Sequence, residues 1–273
     1  MNPKALLDEH EILPKKSLGQ NFIHDPNTLD KIVSIAELGL EDSVLEIGPG
    51  TGAMTTRLAE AARKVIAVEL DNRLKPVLDE VLKPYTNVWV IYQDILTVDI
   101  PKLLKPEPYV VVANVPYYIT SAILKHLLEN EHRPRRLVLT MQQEVAERLI
   151  AKPNDMSILS VSVQFFGQPK IAARINSSVF WPRPDVDSAV VSIETYETLP
   201  VDVPDVKRFF RIVRAGFGQK RKQLKNSLGS GLGLNSEQTT ALFEAAGVDS
   251  RRRAETLTLD EWGALTRAAA QFV

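Results

Sequence analysis

Ser43-Val44-Leu45-Glu46-Ile47 runs directly into Gly48-Pro49-Gly50-Thr51-Gly52, and a helical pattern follows over about Ala53–Ala62. A short apolar strand that ends in closely spaced glycines and opens a helix is the start of a β-α unit. The pattern repeats. Lys64–Glu69 predicts a second strand with a helix near Asn72–Leu82, Val88–Tyr92 a third strand, and Tyr109–Ala113 a fourth. A helix around Ser121–Glu129 leads to a fifth strand at Leu137–Met141. Such alternation demands a mainly parallel sheet with helices on both faces, an α/β fold. Beyond it, Leu159–Phe166 and Lys170–Ile175 are apolar runs separated only by Gly167-Gln168-Pro169, and Ala189–Tyr196 is a further strand. Close strands without helices between them predict an antiparallel edge.

Leu199–Pro204 has the composition of a linker, and helical periodicity follows it, broken at Gly229, Gly231, Gly233 and Gly247. The expected division is residues 1–198 as one domain and 199–273 as a small helical one. Charge divides unevenly across it. The chain has a net charge of -1, but residues 201–273 carry 12 basic and 8 acidic side chains, and Lys207–Lys225 holds eight basic residues and no acidic one.

Composition excludes several chemistries. With no cysteine there is no disulfide, thiolate nucleophile or iron–sulfur cluster, and four scattered histidines (His10, His24, His126, His132) make no transition-metal site. No apolar run approaches the roughly 18–20 residues that span a bilayer. The segment Met1–Lys16 is too acidic and broken for a signal peptide, so a cytoplasmic protein is expected.

The glycine loop is G-x-G-x-G, not the dinucleotide fingerprint G-x-G-x-x-G, and it lacks the lysine of a P-loop. Its sharper turn, preceded by Glu46, suits a nucleoside without phosphates; S-adenosylmethionine is such a ligand, with Gly48 and Gly50 giving the close approach. Glu69 ends the second strand, where a carboxylate can accept both ribose hydroxyls. Asp94 follows the third strand, where it could accept from an adenine amine. Acids at strand ends are common on surfaces, so each is weak by itself; three such features at successive strand ends point to cofactor binding.

Asn114-Val115-Pro116-Tyr117 follows the fourth strand. An aromatic amine is a poor nucleophile because its lone pair is delocalised into the ring. Two acceptors on its N–H groups would free that pair. The Asn114 amide oxygen is one candidate, and the Val115 carbonyl, aimed by Pro116, the other. Tyr117 offers a face for a flipped base. The plain alternative is a strand-ending turn. In the basic segment, Lys207, Arg208, Arg211 and Arg214 fall mostly along one helical face, and Lys220, Arg221, Lys222 and Lys225 follow. A solvated face is the ordinary explanation for such a run; the lack of any interspersed acid favours phosphate binding. Arg251-Arg252-Arg253 is a second candidate, with Glu255 and Asp260 close by.

Four segments together resemble the KsgA-type ribosomal RNA adenine N6,N6-dimethyltransferases over essentially the whole chain: Lys16–Phe22, Glu46–Gly52, Asn114–Tyr117 and Phe180–Ala189. The resemblance implies a class I, Rossmann-like methyltransferase with a seven-stranded sheet and a small all-α C-terminal domain. It implies S-adenosylmethionine as donor, two adjacent adenines in the 3′-terminal hairpin of 16S rRNA as target, a role in small-subunit maturation, and a monomer acting on the small ribosomal subunit. It further implies that Gln20, Asn21 and the Ile23 backbone contact the methionine part of the cofactor. Gly48 would lie under it, Glu69 would hold the ribose and Asp94 the cofactor adenine. Asn114 would touch both cofactor and target, and Tyr117 and Phe180 would sandwich the base. From its own surroundings in sequence, Phe180 reads instead as a core anchor. Val115 and Ile23 depart from the family's usual residues without loss of a backbone role, whereas Asp185 stands where a lysine is frequent. Two other readings share these features: an erythromycin-resistance-type 23S rRNA methylase, and a mainly non-catalytic assembly or transcription factor on the same fold.

Overall fold

The protein was analysed as a computed structural model that describes residues 2–104, 106–219 and 221–272, with the backbone alone at Tyr117. The chain forms two compact units, residues 1–146 with 168–195 and residues 147–167 with 196–273. The chain passes between the units three times, at 146/147, 167/168 and 195/196, and the expected boundary near 198 lies beside the last of these.

The sheet unit opens with α1 (Pro3–Glu9), β1 (Phe22–Ile23) and α2 (Pro26–Ile35). Then β2 (Ser43–Ile47), α3 (Ala53–Ala61), β3 (Lys64–Glu69), α4 (Lys75–Val81), β4 (Val88–Tyr92), α5 (Ile100–Leu104), β5 (Tyr109–Asn114), α6 (Thr120–Leu128) and β6 (Arg136–Gln142) alternate. After α7 (Gln143–Leu149) and α8 (Ile158–Phe166) the chain returns through β7 (Gly167–Ile175), β8 (Phe180–Trp181) and β9 (Ser188–Thr195). Seven strands form one sheet in the order β4-β3-β2-β5-β6-β9-β7, while β1 and β8 pair separately. The β2, β3, β4, β5 and β6 pairings are parallel and β6–β9 is antiparallel, as the strand pattern predicts. β2 is buried along its whole length and β5 nearly so, because helices cover both faces of a parallel sheet. Val44, Val65, Val110, Val112 and Val138 pack against Leu29 and Ile32 of α2 and Met54 and Leu58 of α3. The strand order leaves the carboxyl ends of β2, β3, β4 and β5 along one edge of the sheet.

One expected strand is a helix. Leu159–Phe166 lies in α8. Its start is set by a capping box: Ser160 N–H donates to Ser157 Oγ (3.2 Å) and Ser157 N–H donates to Ser160 Oγ (2.7 Å). Val161, Val163, Phe165 and Phe166 are all buried, but Val161-Ser162-Val163-Gln164-Phe165 alternates apolar and polar residues in the sequence, the period of a strand.

α8 belongs to the helical unit with α9 (Val206–Phe217), α10 (Leu224–Leu232), α11 (Ser236–Ala246) and α12 (Leu259–Ala268). Phe165 stacks on Phe209 at 4.2 Å, and Phe166 on Phe210 at 5.6 Å. Trp262 is fully buried against Gly216, where an added Cβ would come within 2.4 Å of the indole. No helix among the described residues is long and apolar enough to cross a membrane.

Candidate active site

The loop after β2 is built on positive backbone angles. Gly48, Gly50 and Gly52 have φ of 70°, 59° and 80°, which only glycine adopts without strain. Gly48 N–H donates to the Val68 carbonyl of β3 (2.9 Å), and Gly52 N–H to the Pro49 carbonyl (2.9 Å), closing the turn that starts α3. A side chain at Gly50 would meet the Phe22 ring at 2.9 Å, whereas one at Gly48 would meet nothing within 4 Å. Open space therefore lies over Gly48 and packed protein over Gly50.

That space is a cleft of about 960 Å³, open to solvent on one side. Its walls come from four successive strand ends and from the segment Leu18–Ile23. Glu69 stands at the end of β3 and is held rigidly: one carboxyl oxygen accepts from Gly50 N–H (3.1 Å), the other from Asp71 N–H (2.8 Å). Each oxygen keeps a second lone pair for a ligand. Burial raises the Glu69 pKa above the ordinary carboxylate range, against those two hydrogen bonds. Asp94, after β4, lines the cleft and accepts from Leu96 N–H with Oδ1 (2.9 Å), leaving Oδ2 for a ligand.

Asn114, the last residue of β5, donates from Nδ2 to the Asn21 carbonyl (2.8 Å). A flipped amide would set oxygen against oxygen, so this bond fixes the amide with Oδ1 as its remaining acceptor. The segment carrying Asn21 is itself anchored beside the tetrad: Gly19 has φ 61°, and a Cβ there would lie 3.1 Å from Pro116. Val115 is buried and its N–H donates to the Thr140 carbonyl (3.1 Å). Tyr117 opens a short 3₁₀ turn after Pro116, and its side chain lies outside the described residues.

The cleft thus gathers Gln20, Asn21, Ile23, Gly48, Gly50, Glu69, Asp94, Asn114 and Pro116. Phe180 stands apart: it is 3% exposed, packed in the apolar cluster with Leu29 and Val190, and is not part of the cleft wall. Its backbone pairs with Ile23 in the β1–β8 ribbon, which keeps it next to a wall residue. Gln20 is already engaged at both ends, accepting from Lys15 N–H (2.7 Å) and donating to Asp71 Oδ2 (2.8 Å).

Asp71 and Tyr118 escaped the sequence reading, and Glu46 was noted there without a role of its own. Asp71 is 4% exposed and ties Gln20 to Arg73 (2.6 Å), which keeps its carboxyl below the usual range despite burial. The acid two residues past a strand end was the available signal. Tyr118 lines the cleft and is 59% exposed. Glu46 lines it while fully buried. Among the described residues neither of its carboxyl oxygens has a hydrogen-bond partner, and Thr55 Oγ1, near enough to draw its pKa down, is not in bonding geometry either. Burial, with Glu69 adding repulsion, lifts the Glu46 carboxyl to about 8.

In the helical unit, Lys207, Arg211 and Arg214 form an exposed stripe on α9 opposite Phe209, Phe210, Ile212 and Val213, with Arg208 half-buried at its margin. Arg221, Lys222 and Lys225 are exposed as well; Lys220 lies outside the described residues. By contrast Arg251 pairs with Asp249 (3.0 Å), Arg252 with Glu261, and Arg253 with Glu255 (3.8 Å). That triplet is occupied by carboxylates.

The parallel sheet, the glycine loop and the acids at successive strand ends define the Rossmann-like methyltransferase fold. Comparison with known proteins narrows this class. The family model for ribosomal RNA adenine dimethylase matches residues 13–271. "Ribosomal RNA small subunit methyltransferase A" of Dehalococcoides mccartyi (strain CBDB1) is 42% identical over 260 residues, 95% of this chain and 89% of the relative. The protein of the same name from Geobacillus kaustophilus (strain HTA426) is 42% identical over 277 residues, 98% of this chain and 94% of the relative. A solved dimethyladenosine transferase from Plasmodium falciparum superposes with a TM-score of 0.75 at 25% identity, covering 92% of this chain and 98% of that one. The 23S rRNA methyltransferase ErmE superposes with a TM-score of 0.71 at 28% identity, covering 92% of this chain and 100% of that one. The chain belongs to the ribosomal RNA adenine dimethylase family.

Proposed function

We propose that this protein transfers methyl groups from S-adenosylmethionine to the N6 amines of two adjacent adenines in the 3′-terminal hairpin of small-subunit (16S) rRNA. The observation that carries the reading is the locked amide of Asn114, which presents Oδ1 as an acceptor at the end of a cleft shaped for a nucleoside. The cleft fits the cofactor: open space over Gly48, bonded but unsaturated carboxylates at Glu69 and Asp94, and buried acid awaiting positive charge at Glu46. Bound there, S-adenosylmethionine supplies an electrophilic methyl group on a sulfonium leaving group.

The residues of the chain do the rest. Glu69 accepts the two ribose hydroxyls and Asp94 the cofactor's adenine amine; Asn21, Ile23 and Gln20 border its methionine end. Asn114 Oδ1 accepts one N–H of the target amine and the Val115 carbonyl the other, which draws the nitrogen toward tetrahedral geometry and frees its lone pair. Pro116 holds Val115 extended for that purpose. Tyr117 stacks on the base, and Phe180, from its buried position, meets the other face only after a rotamer change. Alignment supplies most of the acceleration, since effective molarity alone is worth about 7–11 kcal/mol in well-oriented reactions. The amine sheds its proton after attack, so no strong base is required. Arg208, Arg211, Lys220, Arg221, Lys222 and Lys225 bind RNA phosphates, and residues 199–273 with α8 act as the RNA-binding unit of a cytoplasmic monomer.

The similarity to ErmE keeps a 23S rRNA methylase as the second reading, because fold and tetrad are shared. The relatives of 40–42% identity named for the small subunit favour the first. Transfer of tritiated methyl groups onto undermethylated small subunits, large subunits and naked rRNA tests it. Incorporation of four methyl groups per small subunit, as two N6,N6-dimethyladenosines, is expected; incorporation into large subunits alone would establish the second reading instead.

A further inference from the structure

Glu46 has no assigned task in the mechanism above, yet it is an extreme residue of the molecule. It is the penultimate residue of β2, where an apolar side chain would be expected, is completely buried, and lines the cleft. Among the described residues both carboxyl oxygens lack a partner, and so does Thr55 Oγ1 opposite. A buried polar group without a hydrogen bond costs about 1–3 kcal/mol, and a buried charge without a counter-ion costs more. Its neighbours offer no positive charge. On β3 its register partner is Ala67, and the charged group facing it is Glu69; on β5 the register partner is Val112. From α3 comes Thr55, while Arg57 of the same helix is turned to the Ala53 carbonyl (2.8 Å) and to Asp30. Asp71, beyond Glu69, is already paired with Arg73. The protein itself therefore offers this acid no counter-ion, and burial favours its neutral form.

We infer that Glu46 is the residue by which the cleft distinguishes the cationic methyl donor from the spent product: it ionises when a sulfonium arrives and keeps its proton when a neutral thioether does. The inference rests on S-adenosylmethionine as the cofactor. Donor and product share adenosine, ammonium and carboxylate, and differ by one methyl group and one positive charge at sulfur. Ionisation of Glu46 rewards that charge and sends a proton to the buffer. After transfer the sulfur is neutral, Glu46 takes a proton back, and the product loses the interaction. Discrimination of this kind limits inhibition by product, grows as pH rises and levels off above about 8, where Glu46 ionises in the ligand-free protein.

Isothermal titration calorimetry of the full chain tests it, with S-adenosylmethionine and S-adenosylhomocysteine each titrated in buffers of different ionisation enthalpy. At pH 7 the wild-type protein should release about one more proton on binding donor than on binding product. Donor affinity should rise about tenfold per pH unit from 6 to 7 relative to product affinity. Glu46→Gln, which keeps the shape of the neutral acid, should abolish both differences; subtracting it removes the contributions of Glu69 and of the ligands' own groups. Equal proton release for the two ligands, or a difference that persists in Glu46→Gln, overturns the inference. Should that variant fail to fold, the donor-against-product comparison in wild-type protein decides by the same criterion. Binding of neither ligand would overturn the proposed function itself, whereas binding of both with equal proton release overturns this inference alone.

Discussion

Glu69→Gln is the substitution for which the geometry makes the sharpest demand. The wild-type carboxylate accepts Gly50 N–H through one oxygen and Asp71 N–H through the other. A carboxamide has only one oxygen, so in either orientation an NH₂ group is set against a backbone N–H. One buried donor then loses its partner, at about 1–3 kcal/mol. In a chain of this size each kcal/mol lowers Tm by roughly 2–4 °C. The ribose also loses an acceptor: charge-assisted hydrogen bonds are worth about 1.5–3 kcal/mol, which is roughly a ten- to hundredfold weaker Kd for S-adenosylmethionine. Calorimetry with the cofactor and urea unfolding of the free protein read the two effects separately. A variant that binds the cofactor within twofold of wild type would refute the assignment of Glu69 to the ribose. A variant with unchanged stability would refute the claim that both oxygens are needed by the loop.

Glu46 predicts a pH dependence of stability. Its carboxyl holds a proton in the folded state up to about 8 but releases it near the ordinary 4.5 when unfolded. Between those values the unfolded chain binds fewer protons, so stability should fall as pH rises from about 5 to 8. Urea midpoints across that range should show the decline in wild type and a shallower one in Glu46→Gln; identical slopes would count against the buried neutral acid. Gly50→Ala should lower Tm and weaken cofactor binding, because φ 59° costs a side chain about 1–2 kcal/mol and its Cβ would press on Phe22 at 2.9 Å; a thermal-shift series with and without cofactor measures both. Reversing the charges at Arg221 and Lys222 should reduce RNA affinity and flatten the slope of log K against log salt by about one unit per lost phosphate contact. An unaltered slope would move the RNA to another face.

The strands that build the cleft were legible because each is a short β-branched run closed by glycine or a polar residue. β3 and β4 match their expected ranges, and β5 and β6 extend theirs by a residue or two. α8 was not legible because Val161-Ser162-Val163-Gln164-Phe165 alternates as a strand does, and Ser157-x-x-Ser160 is a weaker start signal than a capping box with Glu. The same helix explains why a single boundary near 198 divides the chain incompletely. In the cleft, Gly48, Gly50, Glu69, Asp94 and Asn114 could be read from local spacing, since each lies at or within three residues of a strand end. What spacing could not show is long-range pairing. The Asn114–Asn21 bond spans 93 residues, and the Gln20–Asp71 bond 51. Burial of Glu46 without a partner, and of Phe180 away from the cleft wall, likewise depends on what the rest of the chain packs around them.

On the proposed function, methyl transfer occurs where the Asn21 carbonyl holds the Asn114 amide in one orientation. Asn114→Ala tests it when cofactor affinity and single-turnover methyl transfer to undermethylated small subunits are measured on the same preparation. Cofactor Kd within about tenfold of wild type, the value of one lost hydrogen bond, with a transfer rate lower by roughly a hundred- to a thousandfold, is the predicted result. Transfer at near the wild-type rate under saturating cofactor would contradict the account.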